Sequence, residues 1–271
     1  MRRDTRGRLL APVEINGQGP FHLVVNTGAS SCAITESVAT RLKLPMDDGL
    51  SILVQGVTAS TRVHSLRIES LSVGGKSIPA ATLPMVADEG DGADGYLSVS
   101  ALTRERVLLE ITRNRLILSA RSPPEVIVNA VSVRMKPLVG HLAAFDTRVQ
   151  GTSVTTILDT GSDTTIGNLS LVRALGGHQA VRTNPSWRAG ACAQRNSGVR
   201  RPLPPINIGS LRVVGVQAFC EDFPLFEYLK LSNEPAMLLA MDALNQFDGL
   251  LIDYENQMIQ FRPRAAGRAG R

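Results

Sequence analysis

Two stretches of this chain, HLVVNTGASSCAIT at 22–35 and TTILDTGSDTTIG at 155–167, share one layout: an apolar strand, one polar residue, Thr-Gly and a small residue. An internal repeat constrains a fold more than any single residue does, because each copy must be built as a unit and the units must bury one another. The likeness extends upstream. VEINGQGPFHLVVNTGA aligns with TRVQGTSVTTILDTGS, each reading as a strand, a Gly-centred hairpin turn, a second strand and the Thr-Gly loop. Helix signals follow both loops: Thr35 is placed to cap ESVATRLKL and Asn168 to cap LSLVRAL.

The copies also end alike. GYLSVSALTRERVLLEITRNRLILS matches MLLAMDALNQFDGLLIDYENQMIQF as an apolar strand, a short helix and a closing hairpin, with turn residues starting at Glu110 and at Asp253. Between them Pro123-Pro124 interrupts regular structure. The reading is therefore two lobes, 1–122 with the NTG loop and 123–271 with the DTG loop. Short strands, frequent turns and about one helix per copy predict a mainly β fold of two β-rich lobes related by a pseudo-twofold axis.

Composition excludes several function classes. The formal charge is +5, but Arg2, Arg3, Arg6 and Arg8 at the head and Arg262, Arg264, Arg268 and Arg271 at the tail supply eight of the 29 cations. The basic pI then describes two frayed, solvated ends, not a nucleic-acid site. Cys32, Cys192 and Cys220 form no CxxC pair and no histidine cluster accompanies them, so neither a zinc site nor a disulfide framework is indicated. Buried free thiols are expected. No apolar run reaches the length of a membrane span, and MRRDTRGRLL has no hydrophobic segment of the kind that makes a secretory leader.

The two Thr-Gly loops, each answered downstream by a hydrophobic-hydrophobic-small motif (Tyr96-Leu97-Ser98 and Leu238-Leu239-Ala240), resemble the aspartic peptidase superfamily of pepsin-like and retropepsin-like enzymes, in a short bacterial two-lobed form. The resemblance covers nearly the whole chain and implies two pseudo-twofold-related β-barrel-like lobes around an interlobe cleft that receives an extended polypeptide. It implies a monomer, no cofactor and no metal, and export to the periplasm or outside the cell if a leader is missing.

The resemblance assigns roles to particular positions. Asp159 and Asn26 occupy the places of the two catalytic acids, which in such enzymes share a proton and activate a water. Thr27 and Thr160 would lock the loops together, Gly28 and Gly161 would let the backbone amides approach the acids, and the Ser162 hydroxyl would bond Asp159. Gln55, Gly56, Val57 and Thr58 fall at the tip of a hairpin that is either a flap over the substrate or an ordinary surface hairpin. Trp187, the only tryptophan, either grips a peptide side chain or plugs its own lobe.

Asn26 is the departure that matters. An amide is nearly isosteric with a protonated carboxyl and donates through its nitrogen, yet it cannot give up a proton and take one back. The expectation is an endopeptidase homologue with the fold retained and turnover attenuated or lost, the alternative being a non-catalytic peptide-binding protein. Asn26 is then either an engineered knockout or a natural decay of one lobe. The small motif residues favour the second, since the family usually has Gly where this chain has Ser98 and Ala240. With no second carboxyl, Asp159 is expected to ionise as an ordinary hydrogen-bonded acid.

Overall fold

Asn16-Gly17 and Gln150-Gly151 both hold left-handed backbone, with φ of 50° and 71° in the first pair and 50° and 82° in the second. Two consecutive positive φ values make the turn whose twist matches that of paired strands. They fold Leu9–Ile15 onto Gln18–Asn26 and Ala144–Val149 onto Thr152–Leu158. The computed structural model describes residues 1–102, 105–119, 128–177, 181–182 and 199–264.

Mainly β architecture in two barrel-like lobes follows. In the first lobe, strands Leu9–Ile15, Gln18–Asn26, Gly95–Ser98, Ala33–Thr35, Lys76–Val86 and Ser60–Val73 succeed one another, and the last returns onto the first through Glu14 opposite Ser72. Six strands thereby close, and closure removes the sheet edges that would otherwise need cover. Strand Met46–Gln55 pairs with Ser60–Val73 and stands at the end of this sheet. The second lobe is a nine-stranded half-barrel sheet in which Thr152–Leu158 lies between Ala144–Val149 and Ala236–Leu239.

A third sheet, which the repeat alone did not reveal, belongs to both lobes. The closing hairpin of the first copy, Arg106–Glu110 with Arg115–Ser119, pairs directly with that of the second, Phe247–Asp253 with Met258–Pro263, through Leu109 opposite Leu250. Val131–Arg134 adds at the far edge. The join is reinforced by the buried ion pair of Arg106 with Asp253 at 2.7 Å. One apolar core runs through both lobes and this sheet, with Phe261 packed between Phe145 and Phe247. The proposed boundary at 122/123, and Pro123-Pro124 with it, lies outside the described residues.

Two sequence expectations are corrected. Thr35 sits at the N-cap position of helix Glu36–Leu42, but its side chain does not cap; the hydroxyl donates to the Asp94 carbonyl at 3.1 Å, which ties the helix start to the loop before Gly95–Ser98. Asn168 does cap Leu169–Ala174, accepting from the Leu171 amide at 2.8 Å. The amino-terminal segment is not frayed. Arg3 bonds Asn114 and Asn245, one from each copy, and Arg8 is 1% exposed. Near the other end Arg262 bonds Glu110. Of the terminal arginines, Arg6, Arg8 and Arg262 are paired with the carboxylates of Glu89, of Asp4 and Asp91, and of Glu110, while Arg268 and Arg271 lie outside the described residues. Cys32 and Cys220 are buried free thiols, with burial pushing them up to about 11 and about 12. Cys192 lies outside the described residues.

Candidate active site

Strand geometry delivers Asn26 and Asp159 to the same place. Asn26 ends its strand directly opposite Ser98 of the parallel strand Gly95–Ser98. In the second lobe Leu158 faces Leu239 in the parallel strand, and the Asp159 amide donates to the Leu239 carbonyl at 3.0 Å. Each polar residue thus leaves a buried strand beside its lobe's downstream motif. Ser98 and Ala240 are fully buried and neither has positive φ.

The loops interlock through their threonines. The Thr27 amide donates to the Thr160 hydroxyl oxygen at 3.1 Å and the Thr160 amide to the Thr27 hydroxyl oxygen at 3.0 Å. Each hydroxyl in turn donates across the lobes, Thr27 to the Leu158 carbonyl at 2.7 Å and Thr160 to the Val25 carbonyl at 2.6 Å. A hydroxyl offers one donor and two acceptor sites, so both oxygens are well used with only 1% and 0% of the residues exposed. Thr27→Val keeps the volume but leaves the Thr160 amide and the Leu158 carbonyl without this partner. Urea unfolding is expected to report a loss of about 1–3 kcal/mol, the usual cost of an unsatisfied buried group.

The glycines work across the loops as well as within them. The Gly28 amide donates to Asn26 Oδ1 at 2.8 Å and the Gly161 amide to Asp159 Oδ1 at 3.0 Å. A Cβ on Gly28 would lie 2.6 Å from Asp159 Oδ1, and one on Gly161 only 2.3 Å from Asn26 Cγ. Each side chain therefore rests on the bare Cα of the opposite loop, which brings Asn26 and Asp159 together. Because Asn26 Oδ1 accepts from Gly28, its Nδ2 is the donor left to face the site.

The surrounding shell differs between the lobes. Ser98 Oγ donates to the Ala29 carbonyl at 2.6 Å and Ser100 Oγ to the Ser30 carbonyl at 3.0 Å, so two neutral hydroxyls back the first loop. On the second, the Thr165 hydroxyl donates to Asp242 at 2.6 Å and accepts from the Ala240 amide, while the Met241 amide donates to the Ser162 carbonyl. The Ser162 hydroxyl is turned to Thr164, donating to its carbonyl at 3.0 Å, and it is the Ser162 backbone amide that faces Asp159. Ser100, Thr165, Asp242 and Arg8 were not singled out from the sequence. Asp242, two residues past the second small motif, was the most legible of them.

Asp159 is 6% exposed. Burial raises its carboxyl from 3.8 to about 6, opposed by the Gly161 amide, the Arg8 charge and the Ser162 amide, with Asp163 adding to the rise. It is therefore not an ordinary hydrogen-bonded acid, and desolvation achieves this with no second carboxyl beside it.

The cleft over this pair is lined by Asn26, Gly28, Asp159, Gly161 and Ser162 and by Gln55, Gly56 and Val57 of the hairpin joining Met46–Gln55 to Ser60–Val73. Thr58, at the same tip, is buried and does not line the cleft. Apolar lining comes from both lobes, with Ile52, Leu53 and Val57 of the hairpin and Leu142, Leu225 and Tyr228 of the second lobe among it. Trp187 lies outside the described residues. Among the described residues no group of three or more His, Cys, Asp or Glu side chains is placed to hold a metal ion, and no helix is long and apolar enough to cross a membrane.

Residues 11–101, which contain the NTG loop, the hairpin and the motif ending at Ser98, match the family model described as Aspartyl protease. No curated protein matches the chain.

Proposed function

We propose that this chain, with an aspartyl protease domain in its first lobe, is an endopeptidase homologue that takes an extended polypeptide into the interlobe cleft and carries an incomplete acid pair. The observation that carries this reading is the reciprocal Thr27–Thr160 bonding, which sets Asn26 and Asp159 against one another at the floor of a cleft. Ordinary turns have no reason to lock in this way.

Asp159 supplies the base once ionised, taking a proton from a water, and Asn26 Nδ2 supplies a donor for the carbonyl under attack. Asp159 then holds the proton that the leaving amine needs; the missing part is a full proton transfer to the carbonyl oxygen and back, because Asn26 can donate a hydrogen bond there but cannot give up a proton and recover it. Turnover is therefore expected to be at least about a hundredfold below that of a two-acid site. Strand Met46–Gln55 ends its sheet beside the cleft, and a polypeptide laid along Ile52 and Leu53 would add to it as a further strand.

The second reading, a non-catalytic peptide-binding protein on the same fold, is favoured by Asn26 itself. Both readings predict capture of an acid-denatured polypeptide, weakened about tenfold or more when Tyr228, 53% exposed on the cleft wall, is replaced by Asp. Fluorescence anisotropy of a labelled unfolded chain measures this. No capture by the folded protein would remove both readings, and the proteolysis experiment on Asn26→Asp separates them.

A further inference from the structure

Arg8 is a fully buried cation that the site reading leaves without a task. It immediately precedes strand Leu9–Ile15 and is 1% exposed. Its Nε donates to Asp4 Oδ2 at 2.6 Å and its Nη2 to Asp91 Oδ2, while the guanidinium lies 5.9 Å from the centre of the Tyr96 ring. These partners belong to the first lobe. The remaining nitrogen, Nη1, crosses to the second and donates to the Gly161 carbonyl at 3.2 Å.

That carbonyl belongs to the peptide unit whose other end is the Ser162 N–H, the group turned towards Asp159. A cation on the oxygen of a peptide unit polarises it and strengthens the hydrogen bond its N–H donates. The backing of the first loop is different in kind, since the Ala29 and Ser30 carbonyls accept from serine hydroxyls. Charge-assisted support falls on the lobe that carries the acid, and neutral support on the lobe that carries the amide.

We propose that Arg8 is a positioning residue for Asp159: clamped by Asp4 and Asp91, it grips the Gly161 carbonyl from the opposite lobe and fixes both the acid loop and a permanent positive charge beside the carboxyl. The assignment rests on Asp159 being the functional acid, but its test does not require turnover. Arg8 stays charged at any working pH, since a guanidinium is not deprotonated in proteins. It works against burial and against Asp163, the two influences that raise the Asp159 carboxyl. The other charges around it are the carboxylates of Asp4 and Asp91 and the Arg6–Glu89 pair, with the Tyr96 hydroxyl donating to Glu89.

The test follows the Asp159 carboxyl by carbon-detected NMR titration, assigned by comparison with Asp159→Asn, in the otherwise unaltered chain and in Arg8→Lys, Arg8→Gln and Arg8→Met. The Arg8 charge acts to lower the Asp159 carboxyl, and removing an opposite charge within about 4–6 Å raises a carboxyl by about 1 unit or more. Arg8→Gln, which can still hydrogen-bond, and Arg8→Met are both expected to shift Asp159 upward by that amount, and Arg8→Lys to leave it near the parent value. Should Arg8→Met fail to fold, the contrast of Gln with Lys decides. A folded Gln or Met variant that titrates like the parent overturns the proposal. So does a Lys variant that shifts as far as Gln, because the role would then be packing and not charge.

Discussion

Asn26→Asp is expected to raise cleavage of an acid-denatured polypeptide by at least about a hundredfold, the lower end of what general acid-base catalysis contributes. The new carboxyl enters a position already shaped for it. Its Oδ1 inherits the Gly28 amide that Asn26 Oδ1 now uses, and its outer oxygen replaces Nδ2 next to Asp159. Two carboxyls in contact cannot both ionise, so they share a proton and titrate as a pair, one taking a proton from water while the other donates. Activity should accordingly appear on the acid side and fall as the pair loses its last proton.

Ser98 and Ala240 could have obstructed this by forcing the loops apart, but with both in place the Thr27–Thr160 bonds are of ordinary length and Ser98 braces the first loop through Ala29. Neither needs to revert to Gly for the rescue. Asp159→Asn added to Asn26→Asp should abolish the gain. A folded Asn26→Asp protein with no pH-dependent cleavage of any denatured substrate would leave the peptide-binding reading in possession of the fold.

The sequence made the two inner hairpins and the Thr-Gly loops legible because their signals are local: Asn-Gly or Gln-Gly turns, apolar strands and a single polar residue at a fixed place. Thr27 and Thr160 were legible only through the resemblance, since nothing in a Thr-Gly dipeptide announces a partner more than a hundred positions away. The shared sheet was hidden for the same reason, as each closing hairpin is explicit but its pairing with the other is a tertiary event. Arg8 was misread outright. A run of arginines near a chain end has the composition of a solvated tail, and only the placement of Asp4 and Asp91 around it turns one of them into a buried cross-lobe contact. Asp159 shows the limit on the chemical side: the sequence singled out the residue, but its displaced ionisation is a product of burial.

That displacement predicts how stability depends on pH. The folded Asp159 carboxyl titrates at about 6 against an ordinary 3.8, so between these values the native state holds a proton that the unfolded chain has released. Stability must then fall as pH rises through this window, level off above about 6, and be fully recovered only below the unfolded value. A displacement of this size corresponds to about 3 kcal/mol. Asp242 and Glu221, also raised by burial, slope the same way, and Asp253, lowered on balance although burial opposes it, slopes the other way, so the parent curve alone does not isolate Asp159. The difference between the parent and Asp159→Asn does. Asn keeps an oxygen for the Gly161 amide and has no charge to bury, so urea unfolding at about pH 4 and about pH 7 should show the variant gaining on the parent by up to about 3 kcal/mol at the higher pH. Any constant cost of placing two amide nitrogens side by side cancels in that comparison. A difference that does not change with pH would mean that water reaches Asp159 freely and that burial does not displace its ionisation.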